Sequence, residues 1–425
     1  MENKKVCVIG LGYVGLPLAC LSSKYFQTIG YDIDFEKIAK INNGFCPIND
    51  AYTKKLFSES SLKVSNDVSC VSMSDIVVVC VPTPIDENYF PNLGPLKSAS
   101  RLVRDNLRDG QLIIIESTIY PGTTQEVVIP ILEESGKRAG VDFFVAYCPE
   151  RIDPGNCRWN LQNIARVLGG INEESLELAY GFYSKIIDAQ IKKLKCLKSA
   201  EAVKILENTF RDVNIAFINE MAKSFDVLGI DLKEVIDGAK TKPFGFMPFY
   251  PGPGVGGHCI PVDPYYLIER AKKEGFNHQF LDLARKINLS MPQYVVKLVQ
   301  NGLNDLCCSV RGTSIGVLGL AYKSGIEDVR ESPALKVCSS LRKLGADLKI
   351  YDPYVLSLSN CRSVDELLTS CDVVVVLTNH KEFLDVDYDL FKRCDVKLVV
   401  DSKNCLDGDK ITSMGIRYVG IGRGR

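Results

Sequence analysis

Short runs of unbroken apolar residues, each closed by glycine or a polar residue and followed by apolar positions at helical spacing, recur through the first part of the chain. Val6-Cys7-Val8-Ile9 is the first; it ends in Gly10-Leu11-Gly12-Tyr13-Val14-Gly15, a helical pattern runs to about Tyr25, and Thr28-Ile29-Gly30-Tyr31 closes on Asp32. Runs without polar alternation predict strands of a parallel sheet covered on both faces. Others stand at 75–81, 111–115 and 142–146, with helical stretches between them. From about 199 to 228 the pattern becomes one long helix, with Val203, Leu206, Phe210, Val213, Phe217 and Met221 at helical spacing. Apolar on more than one side, it suits a dimer interface and a core helix alike. After Arg311 the alternation restarts, with strands at 314–318, 348–351, 372–377 and 396–400, a helix at 332–344, and Asp352 closing the second of those strands. The expectation is an α/β chain of two Rossmann-like doubly wound domains joined by a long central helix, divided at 1–196, 197–300 and 301–425.

The first glycine turn carries chemistry. A GxGxxG alone is a weak signal, but here a strand precedes it and an acid follows about twenty residues on, as in dinucleotide-binding turns. Gly10, Gly12 and Gly15 let a pyrophosphate sit on the helix N-terminus, and Asp32 is placed to bond ribose hydroxyls. With no arginine beside Asp32, NAD is favoured over NADP. Two later strands end in Val81-Pro82-Thr83-Pro84 and Glu116-Ser117-Thr118, at the carboxyl edge where such sheets bind ligands. A third leads into Cys148-Pro149-Glu150-Arg151-Ile152-Asp153-Pro154-Gly155, a loop bracketed by prolines. On the long helix Lys204, Asn208 and Arg211 share one face at i, i+4 and i+7. A solvated stripe and an oxyanion-stabilising pair both fit that row.

One further loop, Gly252-Pro253-Gly254-Val255-Gly256-Gly257-His258-Cys259-Ile260-Pro261-Val262-Asp263, has four glycines in six positions. Neither helix nor strand tolerates that, and a ligand can approach such a backbone closely. Cys259 is the candidate nucleophile, with Asp263 four residues on to activate a water or hold another group.

Composition narrows the field. The formal net charge is −1, from 51 basic and 52 acidic side chains without long runs of one sign, which argues against nucleic acid or a membrane surface as partner. Sixteen cysteines lie scattered without CxxC pairs, as expected of a protein of the reducing cytoplasm. No signal peptide, anchor or membrane-spanning run is read, and the three histidines lack the spacing of a metal site.

Taken in order, Gly10 to Gly15, Val81 to Pro84, Glu116 to Thr118, Pro149 to Gly155, Lys204 with Asn208, the Cys259 loop and Lys323 to Pro333 resemble the nucleotide-sugar 6-dehydrogenases, the UDP-glucose/GDP-mannose dehydrogenase family. The resemblance covers nearly the whole chain. It implies an N-terminal NAD domain, a central dimerising helix and a C-terminal UDP-sugar domain. It also implies oxidation of a primary alcohol to a carboxylate in two NAD-dependent steps, with Cys259 holding the aldehyde as a thiohemiacetal and then a thioester. Lys204, Asp263 and Asn208 then serve proton transfer and the oxyanion, Thr118 holds a water, and Glu150 serves thioester hydrolysis. Which of Glu150, Lys204 and Asp263 is the base in each step stays open. A lysine beside the cysteine is expected to lower the thiol pKa.

Gly12, Tyr13, Val14, Asp32, Lys37 and Thr83 fall on the family's NAD positions, and Arg330 on an arginine reaching the cofactor from the C-terminal domain. Lys323, Phe249, Tyr250, Gly256 and Arg211 are assigned to the nucleotide-sugar. In Asp401-Ser402-Lys403-Asn404 a lysine replaces the common arginine, so a point charge takes the place of a bidentate fork. Glucose-specific relatives read Pro-Glu-Phe-Leu at the glutamate, whereas Pro149-Glu150-Arg151-Ile152 resembles enzymes for UDP-N-acetylhexosamines, where Arg151 could serve the acetamido group or the diphosphate. The segment from Thr241 to Pro251 favours UDP-N-acetylglucosamine, ahead of the manno and galacto epimers and of UDP-glucose. Competing classes are a two-electron hydroxyacid dehydrogenase, which has no use for Cys259, and a non-enzymatic NAD-binding redox sensor.

Overall fold

The computed structural model describes residues 3–86, 90–153, 156 and 158–424. Compact packing divides the chain into two units, Met1–Asn208 with Val262–Asn277 and Thr209–Pro261 with His278–Arg425.

The first unit is built on β1 (Lys5–Ile9), β2 (Gln27–Tyr31), β3 (Lys63–Ser65), β4 (Ile76–Val79), β5 (Leu112–Ile115), β6 (Phe144–Tyr147), β7 (Arg166–Gly170) and β8 (Ile191–Lys193), in the order β3-β2-β1-β4-β5-β6-β7-β8. The order 3-2-1-4-5-6 is that of a dinucleotide-binding sheet. Its strands are unbroken apolar runs because both faces are covered. Val6, Val8, Val78 and Ile114 pack into one core cluster and Cys7, Ile9, Val77, Val79, Ile113 and Ile115 into another. Pairing is parallel through β6, after which β7 runs antiparallel, with Ala146 opposite Gly170. Apolar periodicity does not predict β7, since it opens on Arg166 and ends on two glycines. A Cβ on Gly169 would stand 2.6 Å from the Cys196 carbonyl oxygen, so close backbone packing replaces side chains there.

The second unit carries β9 (Ser314–Leu318), β10 (Asp347–Tyr351), β11 (Val373–Val376), β12 (Leu398–Asp401) and β13 (Arg417–Gly420), all parallel, in the order β10-β9-β11-β12-β13. Helix Pro333–Lys343 follows β9, N-capped by Ser332, whose Oγ accepts from Ala334 N. A 27-residue helix, Gln279–Asp305, also belongs here. Its interior Pro292 masks it from a reading that ends helices at proline.

The long helix spans Leu197–Leu228, beginning in the first unit and continuing in the second. Its buried side carries polar residues beside the apolar Ile205, Ala216, Ile218 and Ala222. Glu201, Lys204, Asn208, Thr209, Asp212, Asn219 and Asp226 are buried, while Leu206, Phe210 and Phe217 of the apolar row are exposed.

Candidate active site

In the first unit the turn after β1 meets the demands of a dinucleotide. Gly10 has φ +91°, and a Cβ there would lie 2.8 Å from the Cys80 carbonyl oxygen; one on Gly15 would collide with the Gly10 carbonyl at 1.8 Å. Gly12 faces open space, the cradle into which a phosphate fits. Tyr13 and Val14 pack partly buried beside it. Asp32 is held by N–H donors from Leu11 at 2.8 Å and Asp34 at 3.0 Å, and by the Lys37 ammonium at 2.8 Å. Burial opposes its ionisation, but Lys37 and these backbone donors outweigh it and keep the carboxyl below its ordinary range. The anionic acceptor a ribose needs is thus in place, and the residues present fit NAD.

The ends of β4 and β5 are tied together. Thr83 Oγ1 donates to the Thr118 carbonyl at 2.6 Å, Ser117 Oγ donates to the Val81 carbonyl at 2.7 Å, and the Tyr266 hydroxyl donates to the Thr83 carbonyl. Lys204, Asn208 and Asp263 are all at least nine-tenths buried. Asn208 Nδ2 donates to Asp263 Oδ2 at 2.5 Å. Burial raises the Asp263 carboxyl to about 6, against the Lys204 charge and the Asn208 bond, which pull it down. A base with that value is ionised near neutrality yet able to hold a proton.

Glu150 is buried, and its Oε1 accepts the Ile152 N–H. Arg151 is engaged on its own side, donating to both carboxylate oxygens of Glu207 and to the Ala165 carbonyl at 2.8 Å. Pro154 and Gly155 lie outside the described residues. A residue that pattern reading misses sits beneath this loop: Arg166, fully buried on β7, donates from Nη1 to the Pro149 carbonyl at 3.2 Å. It also lies 3.9 Å from Glu116, whose other oxygen accepts from the Tyr183 hydroxyl. The sole signal in the sequence is a charge opening an apolar strand.

In the second unit the glycine loop lies against the carboxyl edge of its sheet. Gly257 N donates to the Arg330 carbonyl at 2.9 Å, and Gly252 N to Asn219 Oδ1 at 3.0 Å. A Cβ on Gly256 would meet Tyr322 Cβ at 2.6 Å, and one on Gly252 would lie 3.5 Å from the Lys403 ammonium. The structure therefore gathers Gly256, the loop carrying Lys323, Arg330 and Lys403 around the segment bearing the half-buried Cys259. Phe249 packs edge-on to Phe210 at 6.0 Å, and Tyr250 is exposed. The Arg330 guanidinium binds Asp328 through Nε at 3.0 Å and Nη2 at 2.6 Å, and Arg211 is exposed. Among the described residues no group of three His, Cys, Asp or Glu is placed to hold a metal, and no helix is long and apolar enough to cross a membrane.

A dinucleotide crevice at one sheet edge, a buried carboxylate with a lysine and an amide, and a second sheet with cationic loops define a dinucleotide-dependent oxidoreductase with a separate substrate domain. Sequence models of the UDP-glucose/GDP-mannose dehydrogenase family match along the chain: the NAD binding domain at residues 4–187, the central domain at 198–290 and the UDP binding domain at 316–408. The chain belongs to this family and is an NAD-dependent nucleotide-sugar dehydrogenase. It is 38% identical to the UDP-N-acetyl-D-mannosamine dehydrogenase of Pyrococcus horikoshii, over 99% of each chain. To the UDP-N-acetyl-D-glucosamine 6-dehydrogenase of Pseudomonas aeruginosa it is 39% identical over 84% of each. The solved structure of the UDP-D-ManNAc dehydrogenase from P. horikoshii superposes with a TM-score of 0.92 at 37% identity, covering 99% of both chains.

Proposed function

We propose that the chain oxidises the C6 hydroxymethyl of a UDP-N-acetylhexosamine, UDP-N-acetylglucosamine first, to the uronic acid. The observation that carries this reading is the buried Asp263 with its pKa near 6, bonded to Asn208 and under the charge of Lys204. Such a group takes the proton of an alcohol or a water, while Lys204 and the second N–H of the Asn208 amide remain to stabilise an alkoxide. NAD, when bound, supplies the hydride acceptor for each oxidation. The Cys259 thiolate adds to the C6 aldehyde, forming the C–S bond of a thiohemiacetal. After the second hydride is lost the thioester takes up water, the C–S bond breaks, and carboxylate and thiol separate. Thr118 holds that water and Glu150 orients it.

Arg330 serves the cofactor, and Lys323, Lys403, Arg211, Phe249, Tyr250 and Gly256 serve the UDP-sugar. Arg151, held by Glu207, serves the acetamido group or the diphosphate. The functional division is 1–196, 197–300 and 301–425, and the protein works in the cytoplasm as a homodimer. A second reading, the manno epimer, is favoured by the full-length match to the P. horikoshii enzyme.

The test is NADH counted per sugar with UDP-glucose and the three UDP-N-acetylhexosamines. Two NADH per UDP-N-acetylglucosamine without free aldehyde is the expected result; one NADH per sugar overturns the reading. Cys259→Ser is expected to stop at aldehyde-level chemistry, and a fully active serine variant rules out the covalent route.

A further inference from the structure

The carboxyl edge of the second sheet holds a fully buried histidine that the reaction above does not use. His380 follows β11, and both of its ring nitrogens are engaged. Nδ1 lies 3.1 Å from the backbone nitrogen of Gly325, and Nε2 lies 3.1 Å from Asp352 Oδ2. A backbone N–H only donates, so Nδ1 must present its lone pair. The neutral ring then carries its hydrogen on Nε2 and donates it to Asp352. Turning the ring over would set carbon atoms against both partners. Tyr354 stacked at 4.9 Å and Phe383 edge-on at 5.4 Å fix the ring plane.

Asp352 ends β10 as Asp32 ends β2, but its carboxylate is turned to internal use. Oδ2 accepts the N–H groups of Leu320 at 2.6 Å and Ala321 at 2.9 Å, and Oδ1 accepts those of Tyr354 at 2.9 Å and Val355 at 3.2 Å. The loop after β9 is fastened further where Ser332 Oγ donates to the Leu320 carbonyl and Thr378 Oγ1 to the Ala321 carbonyl, each at 2.6 Å. Tyr322 N donates to the Asp328 carbonyl at 3.1 Å. Lys323 therefore sits between a fastened stretch, residues 320–322, and Gly325, whose amide is held by His380.

We propose that His380 is a positioning residue of the nucleotide-sugar site: as the Nε2–H tautomer it links Asp352 to the Gly325 amide and fixes the loop from which Lys323 meets the UDP-sugar. The inference rests on reading the second unit as the UDP-sugar domain. It makes the two ring nitrogens separable, Nδ1 serving the ligand through Gly325 and Nε2 serving the fold through Asp352.

The test is a pair of partial isosteres in the full chain. Asparagine carries an amide oxygen where Nδ1 stands, and glutamine reaches an N–H to where Nε2 stands. His380→Gln is expected to raise the Kd for UDP, measured by calorimetry, about ten-fold, the effect of leaving one buried donor without its acceptor. The KM for the UDP-sugar should rise with it, and the KM for NAD should not. His380→Asn should restore the Kd to within about three-fold while melting at a lower temperature than the glutamine variant. Equal losses in both variants, or a glutamine variant that binds UDP normally, overturn the proposal. If the unaltered chain neither binds UDP nor reduces NAD with any UDP-sugar, the reading of the domain itself has failed, and this shows before any variant is compared.

Discussion

At the scale of single residues, the proposed role of Asp263 joins activity and stability with opposite signs. Its carboxyl is raised to about 6, first by burial. Only the ionised form accepts a proton, so kcat/KM should climb with pH through about 6 and level off above it. Asp263→Asn should remove that acid limb and lower kcat/KM by about 10²- to 10⁴-fold. For folding, a pKa raised above the unfolded value means that the contribution is full below the unfolded pKa and lost as pH rises through about 6. The asparagine variant should therefore be more stable than the parent at pH 8, by about 1–3 kcal/mol, and no more stable at pH 4. Urea titrations at the two pH values read this directly, and equal stability at both removes Asp263 as the group strained by burial. Lys204, Asn208 and Asp263 were legible in the sequence because helical spacing and a glycine loop mark them. Arg166, Tyr183 and Tyr266 were not, because their partners lie 17, 67 and 183 residues away and only the packed sheet brings them together.

At the scale of elements, the strands around the two ligand edges were legible to within a few residues, since unbroken apolar runs have few other uses. The glycine loop was legible as a loop, but the division of labour among its glycines depends on what lies against each. Gly256 is pressed on Tyr322 Cβ at 2.6 Å, Pro333 Cδ at 2.9 Å and the Glu331 carbonyl at 3.1 Å from where a Cβ would stand. Two of those three contacts are with backbone or a rigid ring, so the loop rather than its neighbours must move. Gly256→Ala should displace the Cys259 segment, costing about 1–3 kcal/mol locally, and lower kcat/KM for the UDP-sugar while the KM for NAD stays put. Gly238, in helix Leu232–Ala239 with open space where its Cβ would be, is the contrast. Gly238→Ala should raise the stability by about 0.4–1 kcal/mol. An alanine at 256 that leaves the sugar kinetics unchanged would mean that the loop accommodates the methyl elsewhere and does not fix the thiol.

At the scale of the whole molecule, the long helix leaves three large apolar side chains exposed. Seven of its polar residues are buried; among them Asp212 binds Arg285 and Asn288, and Asp226 accepts the amides of Gly422 and Gly424. Three members of its apolar row face out, Leu206 67% exposed, Phe210 48% and Phe217 54%, while Val203, Val213 and Met221 are partly buried. Rows of large apolar side chains on a surface mark an interface, and a second copy of the same row is the simplest cover, because a two-fold pairing needs only self-complementarity. The spacing alone allows both a core helix and a dimer interface, and the exposure of these three side chains is what supports the proposed homodimer. Sedimentation should give about twice the 47.1 kDa of the chain. Phe210→Glu with Phe217→Glu should shift it to one chain, by placing like charges across the two-fold; the melting temperature should rise with concentration for the parent and not for the variant. If the parent sediments as a single chain at micromolar concentration, the exposed row must have some other partner. The inward turn of Lys204 and Asn208 would then owe nothing to dimer formation.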